Sequence, residues 1–347
     1  MPMQTDADFP VNAVSDSWAV VATVCEPLPV VLAFVAHHLS LGAVEVHIYL
    51  DDPDDPAFEV LQACVGCIVT RCDAAHMRSI GFQQRPENQN QRQKRNANHA
   101  MKCSQAQWIA HLDADELMVF PGDVGRHLAE VSQEHVWVQL PHVERVWTPA
   151  DRSDTLFDGP FHFRMPDRRG LTEGLYGEAG FLLHMGHVGT VAGKSFVRCD
   201  RDCILGIHRP RQGKYEHRKV PPRTQLKGAA VLHFHGATAR AWVAKVARYA
   251  ALTGETQRTI LSVARLRLIE RFLTVQGDRA REVALHQELF HMTEEQLDVL
   301  DLHGLLQTHR LNTEAAVRAF FPDNQGSLTP TDLDDLFYPG DDIAGQS

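Results

Sequence analysis

An apolar run that is interrupted by three carboxylates limits the folds open to this chain more than any other feature. The run begins at Trp108 and ends at Phe120, and Asp113, Asp115 and Glu116 stand in its middle. Because side chains alternate along an extended strand, the sequence predicts that Asp113 and Asp115 point to the same side. Two neighbouring carboxylates repel each other unless a cation joins them. The pattern therefore predicts Mg²⁺ or Mn²⁺ at the carboxyl end of a buried strand, although acids after a strand also form turns and helix caps.

The first half of the chain alternates apolar runs of period two with runs of period near four, which is typical of βαβ units. Strands are predicted at 18–24, 44–50 and 68–72, and a helix begins near Pro27 and ends at Gly42. The last predicted elements are a strand and four helices, at 229–234, 239–253, 257–275, 278–291 and 293–303. We therefore predict an α/β fold with a mixed, mostly parallel, Rossmann-like sheet, flanking helices and a C-terminal helical extension.

Composition argues against several classes of function. A formal net charge of −10 disfavours a broad nucleic-acid-binding surface. No apolar run reaches the roughly 20 residues that span a bilayer, so we predict a cytoplasmic protein without a transmembrane segment. Seven cysteines are an odd number, which disfavours a disulfide framework. Cys64, Cys67, Cys199 and Cys203 are predicted to be buried thiols rather than zinc ligands.

Polar side chains at two other predicted strand ends are candidates for binding a nucleoside. Thr23, Cys25 and Glu26 stand at the end of the first strand, where backbone and side-chain groups are available for hydrogen bonds. Asp52 stands in an acidic loop after the second strand, a place where a carboxylate often meets a base or a ribose. A solvated acidic turn is the open alternative for this loop.

Two histidines close the last predicted strand. Alternation puts His233 and His235 on one side, so either imidazole could bind a metal beside Asp113 and Asp115. Histidine and carboxylate together suit Mn²⁺. Basic residues recur beside the strand ends, and we expect some of them to neutralise a diphosphate. They are Arg92, Lys94, Arg95, Lys194, Arg198, Arg240, Lys245 and Arg248.

Several segments, taken in order, resemble those of bacterial glycosyltransferase family 2-like proteins. They are Cys25-Glu26-Pro27, His37-His38, Leu112-Asp113-Ala114-Asp115-Glu116, the run 193–198 and Ile207-His208-Arg209-Pro210. The resemblance implies a GT-A fold and a metal-dependent glycosyltransferase of the hexosyltransferase type, as in polysaccharide biosynthesis. The implied donor is a nucleoside-diphosphate sugar, with UDP-sugars favoured, and the implied acceptor is a glycan or another hydroxyl compound. Asp113 and Asp115 would bind the donor through Mn²⁺ or Mg²⁺.

The run 233–236 is also similar to a segment of glycogenin-like transferases. That similarity implies that His233, rather than His235, binds the metal, and that Arg240 holds phosphate. The donor site predicted in this way comprises Thr23, Cys25, Glu26, Asp52, Arg92, Arg95, Asp113, Lys194 and Arg240. Many inverting relatives have a Glu-Asp pair that this chain lacks. The candidate bases are Glu144, Asp154, Glu173 and Glu178.

The resemblance also divides the chain. A GT-A catalytic domain is predicted at 18–236, with a nucleotide-sugar-binding half at 18–120 and an acceptor-side half at 121–236. A helical region at 237–322 would cap this domain or form an oligomer interface, and an acidic, loosely ordered tail is predicted at 323–347. Two alternatives use the same residues: a metal-dependent nucleotidyltransferase or phosphohydrolase, and a non-catalytic glycan-binding protein on a transferase-like fold.

Overall fold

The computed structural model describes residues 16–148, 156–166, 168–212, 220–324 and 329–337. The strands in this part of the chain are β1 (Trp18–Val24), β2 (Glu45–Leu50), β3 (Cys67–Arg71), β4 (Trp108–His111), β5 (Glu116–Val119), β6 (Trp137–Leu140), β7 (His142–Arg145), β8 (Gly159–Phe163), β9 (Lys194–Arg198), β10 (Cys203–Ile204), β11 (Arg211–Gln212), β12 (Arg223–Gln225), β13 (Ala230–His233) and β14 (Leu306–His309).

The α-helices are α1 (Leu28–Ser40), α2 (Ala57–Gln62), α3 (Ala74–Ser79), α4 (Gln89–Cys103), α5 (Val124–Ala129), α6 (Glu173–Tyr176), α7 (Ala239–Ala250), α8 (Gly254–Ile260), α9 (Val263–Leu273), α10 (Arg279–Phe290), α11 (Glu294–Leu302), α12 (Thr313–Phe320) and α13 (Pro330–Phe337). A π-helical turn at Arg168–Thr172 and a 3₁₀ turn at Gly177–Leu182 flank α6. None of the helices among the described residues combines the length and the apolar character that a bilayer crossing requires.

A seven-stranded sheet in the order β12-β6-β9-β4-β1-β2-β3 forms the centre of the molecule. Strands β3, β2, β1 and β4 are parallel neighbours, whereas β9 runs antiparallel to β4 and β6. All seven residues of β1 are buried, which explains why its sequence is an unbroken apolar run rather than an alternating one. The predicted α/β fold with a mixed, mostly parallel sheet and flanking helices is therefore confirmed.

A second sheet of five strands, in the order β14-β8-β7-β13-β5, was not predicted. Strand β13 lies between β5, to which it is antiparallel, and β7, to which it is parallel. Strands β4 and β5 belong to different sheets, and residues 112–115 connect them through a turn. The three carboxylates thus stand where the chain leaves one sheet for the other.

Two adjacent histidines of α1 tie this helix to β5. Nε2 of His37 donates to the carbonyl of Met118 at 2.7 Å, and the N–H of Met118 donates to Nε2 of His38 at 3.4 Å. His38 is fully buried, and its Nδ1 donates to the carbonyl of Phe34 at 2.8 Å. The His-His pair of the sequence is therefore a structural clamp on the strand that follows the acidic turn.

The C-terminal helical extension follows the prediction with two differences. The helix predicted at 257–275 is divided between α8 and α9, because Ser262 caps the start of α9 with its side chain. Helix α13 lies within the segment 323–347, which was predicted as a loosely ordered tail, and its Leu333 packs into the main core. All seven cysteines are free thiols, in agreement with the prediction against a disulfide framework.

Candidate active site

The candidate active site lies where the turn between β4 and β5 meets the end of β13. Asp115 belongs to this turn, and His233, the last residue of β13, pairs with Glu116 at the start of β5. One residue further on, the N–H of Phe234 donates to the carbonyl of Asp115 at 2.9 Å. These backbone contacts join two segments that are far apart in sequence.

Asp115, His233 and His235 form a group of potential metal ligands. One ligand atom of each lies within 4.8 Å of the other two. Oδ2 of Asp115 is 3.6 Å from Nε2 of His233. Nδ1 of His235 is buried and has no hydrogen-bond partner among the described residues. A carboxylate and two imidazoles, each with a buried nitrogen that lacks a hydrogen-bond partner among the described residues, fit Mn²⁺ better than Mg²⁺, which prefers oxygen ligands.

Lys245 of α7 supplies a positive charge directly beside this group. Its Nζ lies 2.5 Å from Oδ2 of Asp115. Burial by itself would raise the pKa of Asp115, but the Lys245 ammonium and His233 outweigh burial and hold this pKa well below its usual range. Asp115 is therefore ionised at neutral pH, as binding to a cation requires.

The structure does not bring Asp113 into the same group. Its Oδ2 lies 2.8 Å from Nζ of Lys194, and its Oδ1 accepts a hydrogen bond from Nε2 of Gln93 at 2.9 Å. Residues 112–115 form a turn, so the alternation of an extended strand does not apply to them. The prediction that Asp113 shares a metal with Asp115 through strand alternation therefore needs correction.

The prediction for Lys194 also needs correction, because its side chain is fully buried and bound inside the protein. Its Nζ lies 3.0 Å from Oε2 of Glu116, and Oε1 of Glu116 is 2.9 Å from Nε2 of His142. Burial by itself would lower the pKa of Lys194, but Asp113 and Glu116 outweigh burial and raise it. Lys194 is thus a permanent cation that holds the acidic turn, rather than a group that reaches a diphosphate.

A small cavity of about 60 Å³ adjoins Asp115. Its polar lining residues are Glu26, Asp115, His235, Lys245 and Arg248. Helix α13 contributes Leu333 to the same lining. Burial, together with the negative charge of Asp115, raises the pKa of Glu26. The small cavity therefore contains both a cationic and an anionic wall.

A large cavity of about 530 Å³ opens beyond the carboxyl ends of β1, β2 and β3. Its volume falls within the ~300–1,000 Å³ of typical small-molecule sites. Cys25 and Asp52, two of the predicted donor contacts, are exposed on its wall. Because Cys25 lines the large cavity and Glu26 lines the small one, the two cavities meet at the end of β1.

Arg92 does not line the large cavity, contrary to its predicted role in donor binding. It forms an ion pair with Asp51, which does line this cavity. Its Nε and Nη2 donate to the two oxygens of Asp51 at 2.9 and 2.7 Å. Its Nη1 donates to the carbonyls of Pro86 and Glu87. Arg85 adds a second cation 2.8 Å from Oδ2 of Asp51. This bidentate pair fixes the loop before α4 to the end of β2.

Thr23 and Arg95 line neither cavity, contrary to their predicted roles in donor binding. Thr23 is buried, and its hydroxyl accepts a hydrogen bond from Nδ2 of Asn96 at 3.0 Å. Arg95 is exposed on α4, with its guanidinium 5.6 Å from the ring centre of Phe82. Both residues therefore support the fold beside the large cavity.

Arg240 is buried near the start of α7 and faces α13 rather than Asp115. Its Nη1 lies 4.0 Å from Oδ1 of Asp335. Lys245 and Arg248 of the same helix line the small cavity in its place. The spacing of Ala241, Lys245 and Arg248 follows one face of a helix, a signal in the sequence that the predicted donor site left out.

None of the candidate bases within the described residues lines either cavity. Glu144 is 2% exposed, and both of its oxygens accept backbone N–H groups. Glu173 lies on α6, Glu178 is exposed in the 3₁₀ turn, and Asp154 lies outside the described residues. Apart from Asp115, the carboxylate that lines the small cavity is Glu26.

A family model described as glycosyltransferase family 92 matches residues 25–260, which is more than half of the chain. The match is to a glycosyltransferase family, which agrees with the predicted glycosyltransferase of GT-A-like type. It contains the acidic turn, the end of β13 and most of α7. No curated protein matches the chain closely enough to count as a relative.

Among solved structures the chain is similar to TarS of S. aureus, with 10% identity and a TM-score of 0.32, over 76% of this chain and 44% of TarS. It thus spans less than half the length of that protein. TarS 1-349 in complex with UDP gives 11% identity and a TM-score of 0.31, over 92% of this chain and 86% of that one. HddC from Yersinia pseudotuberculosis gives 10% identity and a TM-score of 0.35, over 63% of this chain and 93% of HddC. Superpositions this loose carry no residue roles across.

Proposed function

Since the chain belongs to glycosyltransferase family 92, we propose that it transfers a sugar from a nucleoside-diphosphate sugar to a glycan or another hydroxyl acceptor, with the help of a divalent metal. The observation that carries this proposal is the convergence of Asp115, His233 and His235 beside Lys245. A carboxylate, two imidazoles and an ammonium at one small cavity suit a metal-bound diphosphate.

The two cavities suggest how the donor lies. The nucleoside would occupy the large cavity, where Asp52 is exposed for hydrogen bonds to sugar hydroxyls. The diphosphate would then cross the end of β1 at Cys25 and Glu26 and reach the small cavity. There, Lys245 and Arg248 would neutralise the phosphate oxygens.

Charge develops on the diphosphate as the bond to the sugar breaks. Mn²⁺ held by Asp115, His233 and His235 would act as a Lewis acid that stabilises this charge. Lys245 contributes a fixed cation in a buried setting, where an electrostatic interaction is stronger than in water. The buried ring of His235 and the apolar side chains around it exclude bulk water from this end of the cavity.

The acceptor hydroxyl must lose its proton as the new bond forms. The raised pKa of Glu26 brings this carboxyl closer to the working pH, which suits a group that accepts a proton. We therefore propose Glu26, in place of the four earlier candidates, as the residue to test for this role. If the reaction inverts the sugar, Glu26→Gln should lower kcat at saturating donor.

The test uses the full chain with a panel of nucleotide sugars, starting with UDP-sugars, and measures release of the free nucleoside diphosphate with and without EDTA. We expect release that Mn²⁺ supports and EDTA stops, and that Asp115→Asn reduces about 100-fold. Asp200→Asn is the matched control, because Asp200 is exposed and pairs only with its neighbour Arg201 among the described residues.

The outcomes separate the parts of the proposal. Release that persists in EDTA would contradict metal dependence and leave Lys245 and Arg248 as the cations of the reaction. No release with any donor in the panel, and no stabilisation by any nucleoside diphosphate, would contradict the assignment of the two cavities. Full activity of Asp115→Asn would contradict the site itself.

A further inference from the structure

The loop before β9 brings two backbone N–H groups to a buried carboxylate behind the candidate metal site. The N–H groups of Val188 and Gly189 donate to Oε2 and Oε1 of Glu144 at 2.6 and 2.8 Å. Glu144 is 2% exposed and belongs to β7. A buried carboxylate fixed by two backbone donors has little freedom to turn, so its orientation is set by the fold.

Glu144 faces the ring of His233. The two residues are direct partners in the parallel pair of β7 and β13. Oε1 of Glu144 lies 3.6 Å from Nδ1 of His233, and on the opposite side of the ring Nε2 lies 3.6 Å from Oδ2 of Asp115. The imidazole therefore stands between a carboxylate of the ligand group and a carboxylate outside it.

Gly189 lets the loop approach this ring closely. A Cβ added to Gly189 would lie 2.6 Å from Cε1 and 2.7 Å from Nδ1 of His233, and 2.8 Å from Oε1 of Glu144. These separations are shorter than any van der Waals contact, and the ring cannot retreat freely because His142 stacks on it at 5.3 Å. Any residue other than glycine at position 189 would therefore displace His233 or Glu144.

We infer that Glu144 and Gly189 position His233 as a metal ligand. Glu144 faces Nδ1 and favours the tautomer that carries the proton there, which leaves the lone pair of Nε2 directed toward Asp115. A carboxylate behind a ligand histidine fixes the orientation of the ring and increases its basicity. The inference rests on the proposed metal site, and it assigns Glu144 the role of a positioning residue instead of a base.

The test measures Mn²⁺ affinity directly, by titration of the full chain without donor and detection of free Mn²⁺. Outer partners of this kind are typically worth about 10- to 100-fold in metal affinity. We expect a loss of this size for Glu144→Ala and for Gly189→Ala. Glu144→Gln should recover part of the loss, because an amide oxygen at the position of Oε1 can accept from the N–H of Gly189 and keep a partial negative charge 3.6 Å from Nδ1 of His233.

Gly186→Ala is the matched control for a loss of stability alone. Gly186 lies in the same loop at a φ of +86°, and the atoms nearest to a Cβ there belong to the flexible side chain of Met165, at 2.9 Å. We expect this variant to lower the melting temperature and to keep the Mn²⁺ affinity. Nitrogen-15 spectra of the metal-free chain provide a second readout, since Glu144→Ala should shift the tautomer of His233.

Each result decides one point. Mn²⁺ binding that His233→Ala abolishes, but that Glu144→Ala and Gly189→Ala leave unchanged, overturns the inference and leaves the proposed function intact. A wild-type chain that binds no Mn²⁺ overturns both. An equal loss of affinity in Gly186→Ala and Gly189→Ala would reduce the effect to general destabilisation and also overturn the inference.

Discussion

The large and the small cavity lie side by side at the end of β1, yet they differ in almost every physical respect. The large one, about 530 Å³, opens among loops that follow three parallel strands. The small one, about 60 Å³, is lined by residues that follow β1 and β13, by Asp115 of the acidic turn, and by α1, α7 and α13. The wall of the large cavity is held by the buried pair of Arg92 and Asp51, whereas the wall of the small cavity contains two of the three potential metal ligands, Asp115 and His235.

The difference indicates that the two cavities bind different parts of the donor. A cavity with ample volume and exposed polar groups can bind a rigid nucleoside without a change in shape. A cavity of about 60 Å³ is too small for a phosphate and a sugar together, so part of its wall must move before both can enter. Helix α13 contributes Leu333 to that wall, so we expect this helix to yield when the donor sugar enters.

The largest effect should come from a comparison of two variants, each of which removes one carboxylate from one of the two cavities. Asp115→Asn removes a potential metal ligand, and we expect kcat/KM to fall about 100-fold, or ~3 kcal/mol. Asp52→Asn removes one hydrogen-bond acceptor and should raise the KM for donor by about tenfold at most. Initial rates over a range of donor concentrations measure both values. Similar losses in the two variants would contradict the division between the cavities.

The next effect concerns stability. Arg92→Ala leaves the carboxylate of Asp51 largely buried with only Arg85 beside it, so we expect unfolding to require about 3 kcal/mol less free energy. Urea denaturation provides this value. Arg201→Ala removes an exposed pair and should change stability by about 0.5 kcal/mol at most. A neutral Arg92→Ala would mean that the large cavity does not depend on this pair.

A smaller effect should follow pH through two buried histidines outside both cavity linings, His162 of β8 and His37 of α1. Burial lowers the pKa of His162 to about 3 and that of His37 to about 4, compared with 6.5 in the unfolded chain. The unfolded chain therefore binds more protons, so this contribution to stability is complete above pH 6.5 and is lost as pH falls toward 4. Each of the two histidines should lower the free energy of unfolding by about 2 kcal/mol between pH 6.5 and pH 5.

Urea denaturation at pH 7 and pH 5 measures this loss, and His162→Leu should reduce it by the share of one histidine. The leucine removes the titrating ring from β8 and keeps an apolar side chain in the core. An unchanged difference between the two pH values in this variant would show that His162 does not titrate across the unfolding transition.

The smallest effect should come from α13. Leu333→Ala weakens the packing of this helix over the small cavity and increases the population in which the cavity is open. Because apparent affinity rises with the competent fraction, we expect a severalfold lower KM for donor with little change in kcat. Asp332→Asn, on the same helix but outside the cavity lining, is the control. A higher KM would mean that α13 forms part of the binding site instead of covering it.

The sequence predicted those parts of the fold that depend on neighbours in the chain. Strand β1 was predicted at 18–24 and lies at Trp18–Val24, because an unbroken apolar run between turn residues has few other solutions. The five-stranded sheet was missed, since its order depends on pairings between β5, β7 and β13 that no local pattern reveals. Boundaries between sheets, such as the turn at 112–115, were missed for the same reason.

The prediction of the candidate site was limited in the same way, by contacts between distant parts of the chain. Asp115, His233 and His235 were predicted from strand ends, and the structure brings them together. Lys194 and Arg92 were predicted as ligand-binding cations, yet each already forms an ion pair with a buried carboxylate, Glu116 for Lys194 and Asp51 for Arg92. A basic residue in a sequence gives no sign of whether its partner is a substrate or another side chain, because that depends on distant parts of the chain.

Strand β13 has a consequence for how the protein matures. It lies between β5 and β7, and it also contains one of the potential metal ligands at its end. Until this late segment has left the ribosome, β5 and β7 have an open gap between them, and the acidic turn has no histidine beside it. Contacts between such distant segments form slowly. With the metal site proposed above, acquisition of Mn²⁺ affinity during refolding would therefore report the pairing of β13 with β5.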